Sequence, residues 1–234
     1  MEYTTKTIKS GKHIQVYQYS TPIKIGFKAK RQDYSKSDKT SKSDLSLNRT
    51  RNQLKNIIDS NTTQYSKFIT FTYAENMQDR EKCINDFHNF KRRYKKHYKK
   101  AIKYVAVLEQ QKRGAYHIHM ILFEDQKLSY IDLKRLWKQG GIDLKKIDSS
   151  DNLGLYLMKY ITKDMISINN KSFFKSPNLK KPIQEYKPLE TDFSLKLTYT
   201  KQWEYPIYAT HSLNKESFVI SHGSCSLFEF IIQQ

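Results

Sequence analysis

Cysteine, acidic side chains and long apolar runs are all scarce in this 234-residue chain, and each scarcity excludes a class of protein. The two cysteines, Cys83 and Cys225, stand far apart, so there is neither a disulfide framework nor a thiolate metal cluster, and reduced thiols in a cytosol are expected. No apolar run approaches the roughly 20 residues that span a bilayer, and Met1 to Lys6 carries no apolar signal region, so no membrane partner is expected. No Gly-x-x-x-x-Gly-Lys-Ser/Thr loop occurs, so no nucleotide-driven motor is built in, and no internal repeat is apparent. Acidic residues number 23 against 42 lysines and arginines, a formal net charge of +19 that attracts phosphate and points to a nucleic-acid partner. The run from Lys91 to Lys100 contributes most visibly, although a basic run is often only a solvated helix face. Seventeen tyrosines and twelve phenylalanines could stack unpaired bases between such charges, which suits a single-stranded substrate. Most aromatics in a chain of this size serve the core, so none is assigned that role.

The most informative stretch runs from Tyr104 to Phe123. Apolar residues alternate on both sides of Lys112-Arg113-Gly114, which predicts two strands joined by a three-residue loop with glycine at the left-handed position. With Gln111 opposite Ala115, the ladder sets Glu109 across from His117. Side chains two apart on a strand share a face, so His117 and His119 point the way Glu109 points while Ile118 turns into the core. Two imidazoles and a carboxylate make a divalent-metal site suited to Mn²⁺, Mg²⁺ or Zn²⁺. By itself a His-x-His is commoner on a surface or in packing than as a ligand pair; the paired Glu109 is what strengthens it.

Residues 150 to 164 open on an N-cap serine or aspartate and continue in a helical pattern. Leu153, Leu157 and Ile161 form one stripe that would pack on a sheet, and Tyr156, Tyr160 and Lys163 form the neighbouring one, with Lys159 adding a second lysine to that side. A second Tyr-x-x-x-Tyr at Tyr94 and Tyr98 continues the apolar stripe Ile84, Phe87 and Phe90 of a basic helix, and is read as core.

Three motifs in this order resemble the HUH endonucleases, and within them the two-tyrosine rolling-circle replication initiators of small single-stranded DNA phages and plasmids. They are the threonine-bearing apolar strand Phe68 to Tyr73, the His117-Ile118-His119 motif with Glu109 upstream, and the doubled Tyr-x-x-Lys of Tyr156, Lys159, Tyr160 and Lys163. The likeness covers about residues 65 to 165. It implies that His117, His119 and Glu109 hold a divalent metal (Mn²⁺ or Mg²⁺), that Tyr156 is the nucleophile and Tyr160 a second one, and that Lys159 and Lys163 hold phosphate. It further implies single-stranded DNA with an origin hairpin as substrate, a host or separate helicase and polymerase as partners, and the cytoplasm of a bacterial host as the setting. Residues 173 to 182 also resemble a stretch that follows the tyrosine helix in phage replication-associated proteins; physically they read as a basic loop.

Independently of the likeness, a tyrosine hydroxyl titrates near pH 10 and needs a cation or a metal-polarised phosphate beside it to attack at neutrality. Relaxases place the tyrosine ahead of a three-histidine motif and HUH transposases are shorter with one tyrosine, so both are rival readings within the enzyme class. From another class, a basic ferredoxin-like nucleic-acid-binding module without catalysis stays open.

Along the chain, residues 13 to 27 predict a hairpin around Ser20-Thr21-Pro22, Lys30 to Asp44 a low-complexity arm, and 46 to 59 a helix carrying Arg49, Arg51 and Lys55. Then follow a strand at 66 to 73, a helix at 78 to 100, strands at 102 to 110 and 115 to 124, a helix at 130 to 138 closed by Gly140, and a strand near 142 to 147. Phe193 to Tyr199 alternate as a strand and 217 to 232 are strand-rich. This order predicts an α+β fold, an antiparallel sheet covered by helices, ferredoxin-like, with the His-x-His on a central strand. The domains expected are 1–60 (hairpin, basic arm and helix), 61–170 (nuclease) and 171–234 (strand-rich extension).

Overall fold

A computed structural model describes residues 1–26, 39–146, 157, 173–188, 216–220 and 223–231. Among them the fold is α+β, with ten strands in two antiparallel sheets and three helices, as the sequence pattern requires. The chain divides into two compact units, Met1–Tyr34 with Lys181–Gln234, and Ser35–Lys180.

In the first unit, β1 (Glu2–Ser10), β2 (His13–Lys24), β8 (Ile183–Lys187), β9 (Glu216–Ile220) and β10 (Gly223–Ile231) form a sheet in the order β8-β1-β2-β10-β9. The expected turn at Ser20-Thr21-Pro22 is absent: β2 runs through it and hairpins with β1 instead. The turn-forming residues are accommodated as a bulge, since Tyr3 pairs with Ile23 but Thr5 with Gln18. Strand β10 pairs with β2 only from His13 to Tyr19, so Pro22, which has no N–H to give, interrupts no ladder on that side.

In the second unit, β3 (Lys67–Phe71), β4 (Tyr104–Gln110), β5 (Tyr116–Leu122), β6 (Ile142–Lys146) and β7 (Phe173–Lys175) form a sheet in the order β6-β3-β5-β4-β7, which puts the His-x-His strand β5 in the middle. Period-two alternation divides the sheet's residues between two faces. On one, Ile69, Phe71, Ala106, Leu108, Ile118, Met120 and Leu122 pack against Cys83, Phe87, Phe90 and Tyr94 of α2 (Arg80–Tyr98) and Leu133, Leu136 and Trp137 of α3 (Tyr130–Trp137). On the other, Phe68, Val105, Val107, Ile121 and Phe123 pack against Leu47, Leu54 and Ile58 of α1 (Lys39–Asp59), joined by Leu157.

Helix α1 starts earlier than expected and takes in the end of the stretch read as a low-complexity arm. Its first turn contains no apolar residue, so no periodicity could announce it. Lys55, expected on a basic helix surface, is buried and bonded to Asp59 at 3.1 Å. Residues 173 to 175 are not a loop. They extend the sheet beside β4, with Phe174 packing on the α2/α3 cluster and Phe173 on the α1 cluster, an alternation too short to read from sequence. The Asn61 side chain then holds the segment that follows, donating to the Lys180 carbonyl at 2.9 Å and accepting from the Lys180 N–H at 2.9 Å.

Gly140 does not close α3. The left-handed residue there is Lys138 (φ 69°). Gly140 is needed for close approach instead, because a Cβ on it would stand 2.5 Å from the Ala74 backbone nitrogen where the chain enters β6. The strand expected at Phe193 to Tyr199 lies outside the described residues.

Candidate nuclease site on the central sheet

The β4–β5 turn forms as its residues dictate. Gln111 N–H donates to Ala115 O and Gly114 N–H to Gln111 O, both at 2.8 Å, with Gly114 at φ 88°. That loop fixes the register, so Glu109 pairs with His117 and Val107 with His119. Glu109, His119 and Thr70 all belong to the sheet face that carries Leu157 and α1, opposite the face covered by α2 and α3.

The carboxylate reaches the diagonal imidazole rather than the one directly across. Glu109 Oε2 lies 2.6 Å from His119 Nε2. His119 Nδ1 lies 3.2 Å from Thr70 Oγ1, on the residue that pairs with His119 across β3 and β5, and its ring stacks on Phe68 at 5.9 Å. His119 is 5% exposed, so carboxylate, imidazole and hydroxyl form a chain that is nearly closed to water at the His119 end. Burial pushes the His119 imidazole below its ordinary value against the opposing pull of Glu109. Burial also lowers His117, with Glu109 pulling up and Arg113 pushing down. Both rings are thereby favoured in the neutral form, the form that binds metals.

His117 is turned to another partner, Gln111 Nε2 at 3.1 Å from its Nδ1, and its ring centre is 6.4 Å from that of His119. Among the described residues no three His, Cys, Asp or Glu side chains converge as a metal-holding group. The donor chemistry of the Glu109 and His119 pair nonetheless fits a cation. If a neutral His119 keeps its proton on Nδ1 and donates it to Thr70, the bare Nε2 faces a carboxylate oxygen at 2.6 Å, an arrangement that only a positive charge between them relieves. Thr70 and Phe68 were not singled out as neighbours of this site from sequence. The signal was there in the threonines of that strand, but the β3–β5 register that sets Thr70 beside His119 was not legible.

Tyr156, Lys159, Tyr160 and Lys163 lie outside the described residues. Between them Leu157 is helical and fully buried, packed with Val107 and Ile121 on the face that carries His119. The other tyrosine pair is core: Tyr94 is fully buried and bonded to Glu124, which Lys100 also contacts, and burial first, then Glu124, pushes its phenol above the ordinary value. A phenol held neutral in this way is the reverse of an activated nucleophile.

Residues 66–165 match the family model for replication-associated proteins of the ORF2 type. The matched stretch contains β3 to β6, α2 and α3, and with them Glu109, His119, Thr70 and Leu157. The likeness is therefore to proteins of DNA replication and falls on the unit that holds the candidate site. No curated protein and no solved structure matches the chain. Among the described residues, no helix is long and apolar enough to cross a membrane.

Proposed function

We propose that the chain is a replication initiator that nicks and rejoins single-stranded DNA at a rolling-circle origin through a 5′-phosphotyrosine. The observation that carries this is the buried Glu109–His119–Thr70 chain on the central strands, inside the stretch that matches replication-associated proteins. Glu109, His119 and His117 would hold a divalent cation, Mn²⁺ or Mg²⁺, with His117 leaving Gln111 to join the other two. Such an ion, when bound, supplies Lewis-acid polarisation of a non-bridging phosphate oxygen.

The protein's own residues do the rest. Tyr156 presents its phenolate oxygen to phosphorus, the bond to the 3′ oxygen breaks as the bond to tyrosine forms, and the departing oxygen takes up a proton as a free 3′ hydroxyl. Lys159 and Lys163 lower the energy of the phenolate and hold the phosphate. Tyr160, a turn along the same helix stripe, receives the second strand, and the returning 3′ hydroxyl displaces tyrosine to close the circle. Leu157, seated on the face of His119, supports delivery of this segment to the site.

The test is incubation of the protein with labelled single-stranded origin DNA and Mn²⁺, followed by mass spectrometry of the covalent peptide. DNA on Tyr156 after the first cut is expected, with Tyr156→Phe abolishing the adduct and Tyr160→Phe nicking normally but failing to release closed circles. Attachment to Tyr160 alone would reverse the two roles. Attachment to neither, with DNA binding intact, would favour a non-catalytic binding module.

A further inference from the structure

The face of the central sheet away from Glu109 and His119 carries a second concentration of chemistry. A cleft of about 460 Å³ opens where the C-terminal ends of α2 and α3 meet, lined by Arg93, Lys96, His97 and Lys99 from one side and Arg135 and Lys138 from the other, with Leu136 at its base. Arg93 is committed to structure, donating to the Leu136 and Trp137 carbonyls at 2.7 and 2.9 Å and so capping α3. Arg135 pairs with Asp132 at 3.0 Å, and His97 faces the same carboxylate at 3.9 Å. The side chains of Lys96, Lys99 and Lys138 are exposed and have no hydrogen-bond or ion-pair partner among the described residues.

Cations at helix C-termini are ordinarily explained by the macrodipole. Two helix ends present roughly one negative charge between them, and Asp132 adds one more. Five lysines and arginines exceed that by about three. The backbone makes the same point independently. Lys99 (φ 55°) and Lys138 (φ 69°) are the only non-glycine residues at positive φ among those described, each at the left-handed cap of its helix, where glycine is the unstrained occupant. Both strained positions carry lysine, and both lysines line this one cleft.

We propose that this cleft is a second DNA-contact surface, one that grips the phosphodiester backbone of duplex DNA beside the single strand handled on the opposite face. The inference rests on the reading of the chain as a DNA-processing initiator. Duplex rather than single strand follows from the lining, which offers cations and one buried leucine but no aromatic ring on which an unpaired base could stack. Two cationic walls, one from each helix, contact phosphates without reading bases, so the grip is indifferent to sequence.

The experiment compares the wild type with the combined variant Lys96→Gln, Lys99→Gly and Lys138→Gly, and with a charge-matched control carrying Gln at the exposed Lys12, Lys127 and Lys181. Affinity for labelled duplex of arbitrary sequence is measured across a salt series. The cleft variant should lose about tenfold or more in duplex affinity at low salt, and its slope of log affinity against log salt should flatten by roughly 0.9 for each phosphate contact removed. The control should change far less. The glycines release left-handed lysines, so the melting temperature of the cleft variant should hold or rise, and lost binding cannot then be ascribed to unfolding. Nicking of a short single strand with Mn²⁺ should be unchanged. Equal losses in cleft variant and control, or a loss confined to single strands, would overturn the proposal. Wild-type protein that never nicks DNA, with the cleft variant still losing duplex affinity, would instead fault the nicking mechanism and leave the cleft standing.

Discussion

The two faces of the central sheet are built from the same strands, yet one is sealed and the other is polar at one end. Toward α2 and α3, Phe71, Phe87, Phe90 and Trp137 interlock, with Phe71 centred 4.8 Å from both Phe90 and Trp137. Toward α1, apolar residues cover the sheet around Phe68, Val107 and Ile121, and the row Thr70, His119, Glu109 lies beyond them. Alternation places each polar residue of that row back to back with a core residue, so Ile118 and Met120 bracket His119 from below. Three polar side chains are thus held in register by a rigid, dry foundation, which is what a site needs to be preorganised.

The largest effect is expected from breaking the sealed face. Phe90 is fully buried among Phe71, Phe87 and Trp137, so Phe90→Ala should destabilise the second unit by about 3–5 kcal/mol through lost burial and a cavity. Denaturant unfolding monitored by Trp137 fluorescence measures it. A change under about 1 kcal/mol would show that this cluster repacks freely and is no foundation.

The polar face should give the opposite profile. His119→Ala should abolish strand cleavage while leaving salt-sensitive DNA binding nearly intact, because phosphate contacts are spread over many lysines and the reaction depends on one small group. Its cost in stability should stay near ~1–2 kcal/mol, since the lost hydrogen bonds are partly offset by relief of a buried polar ring. Parallel loss of binding and cleavage in a folded variant would merge the two roles that the faces keep apart. Glu109→Gln keeps the shape and removes the charge, so Mn²⁺ titration by calorimetry should show weaker binding; an unchanged titration would remove Glu109 from the site.

Much of this site was legible in the sequence because it is local. Gly114 and the alternation around it fix a tight hairpin, and a tight hairpin fixes which residues face one another. What the sequence could not show needs pairing across long separations. Nothing local says that Thr70 adjoins His119, that Phe173 and Phe174 extend the sheet at β4, or that β10 pairs with β2 in the first unit. Local signals also misled where a residue satisfied a different requirement. Ser20-Thr21-Pro22 made a bulge instead of a turn, and Gly140 answers a close backbone approach while Lys138 takes the left-handed cap. The aim of the Glu109 side chain was the subtler miss, since register set it opposite His117 and the carboxylate took the buried ring diagonally placed.

The smallest and most discriminating change is Thr70→Val. Valine preserves the β-branched shape in the middle of β3 and removes only the oxygen 3.2 Å from His119 Nδ1, so packing and pairing with β5 should survive and stability should shift by about 1 kcal/mol. If Thr70 accepts the Nδ1 proton, it holds His119 in the tautomer whose Nε2 lone pair faces Glu109. Its loss should weaken Mn²⁺ binding by roughly 10-fold, at the lower end of what outer-shell partners contribute. Cleavage at limiting Mn²⁺ should fall in proportion and recover at saturating Mn²⁺, whereas His119→Ala should not recover at any concentration. Serine at position 70 keeps the oxygen and should restore affinity. Failure of serine to do so, or Mn²⁺ binding indifferent to valine, would mean that the proton on His119 sits on Nε2 and that Glu109 and His119 are joined by an ordinary hydrogen bond.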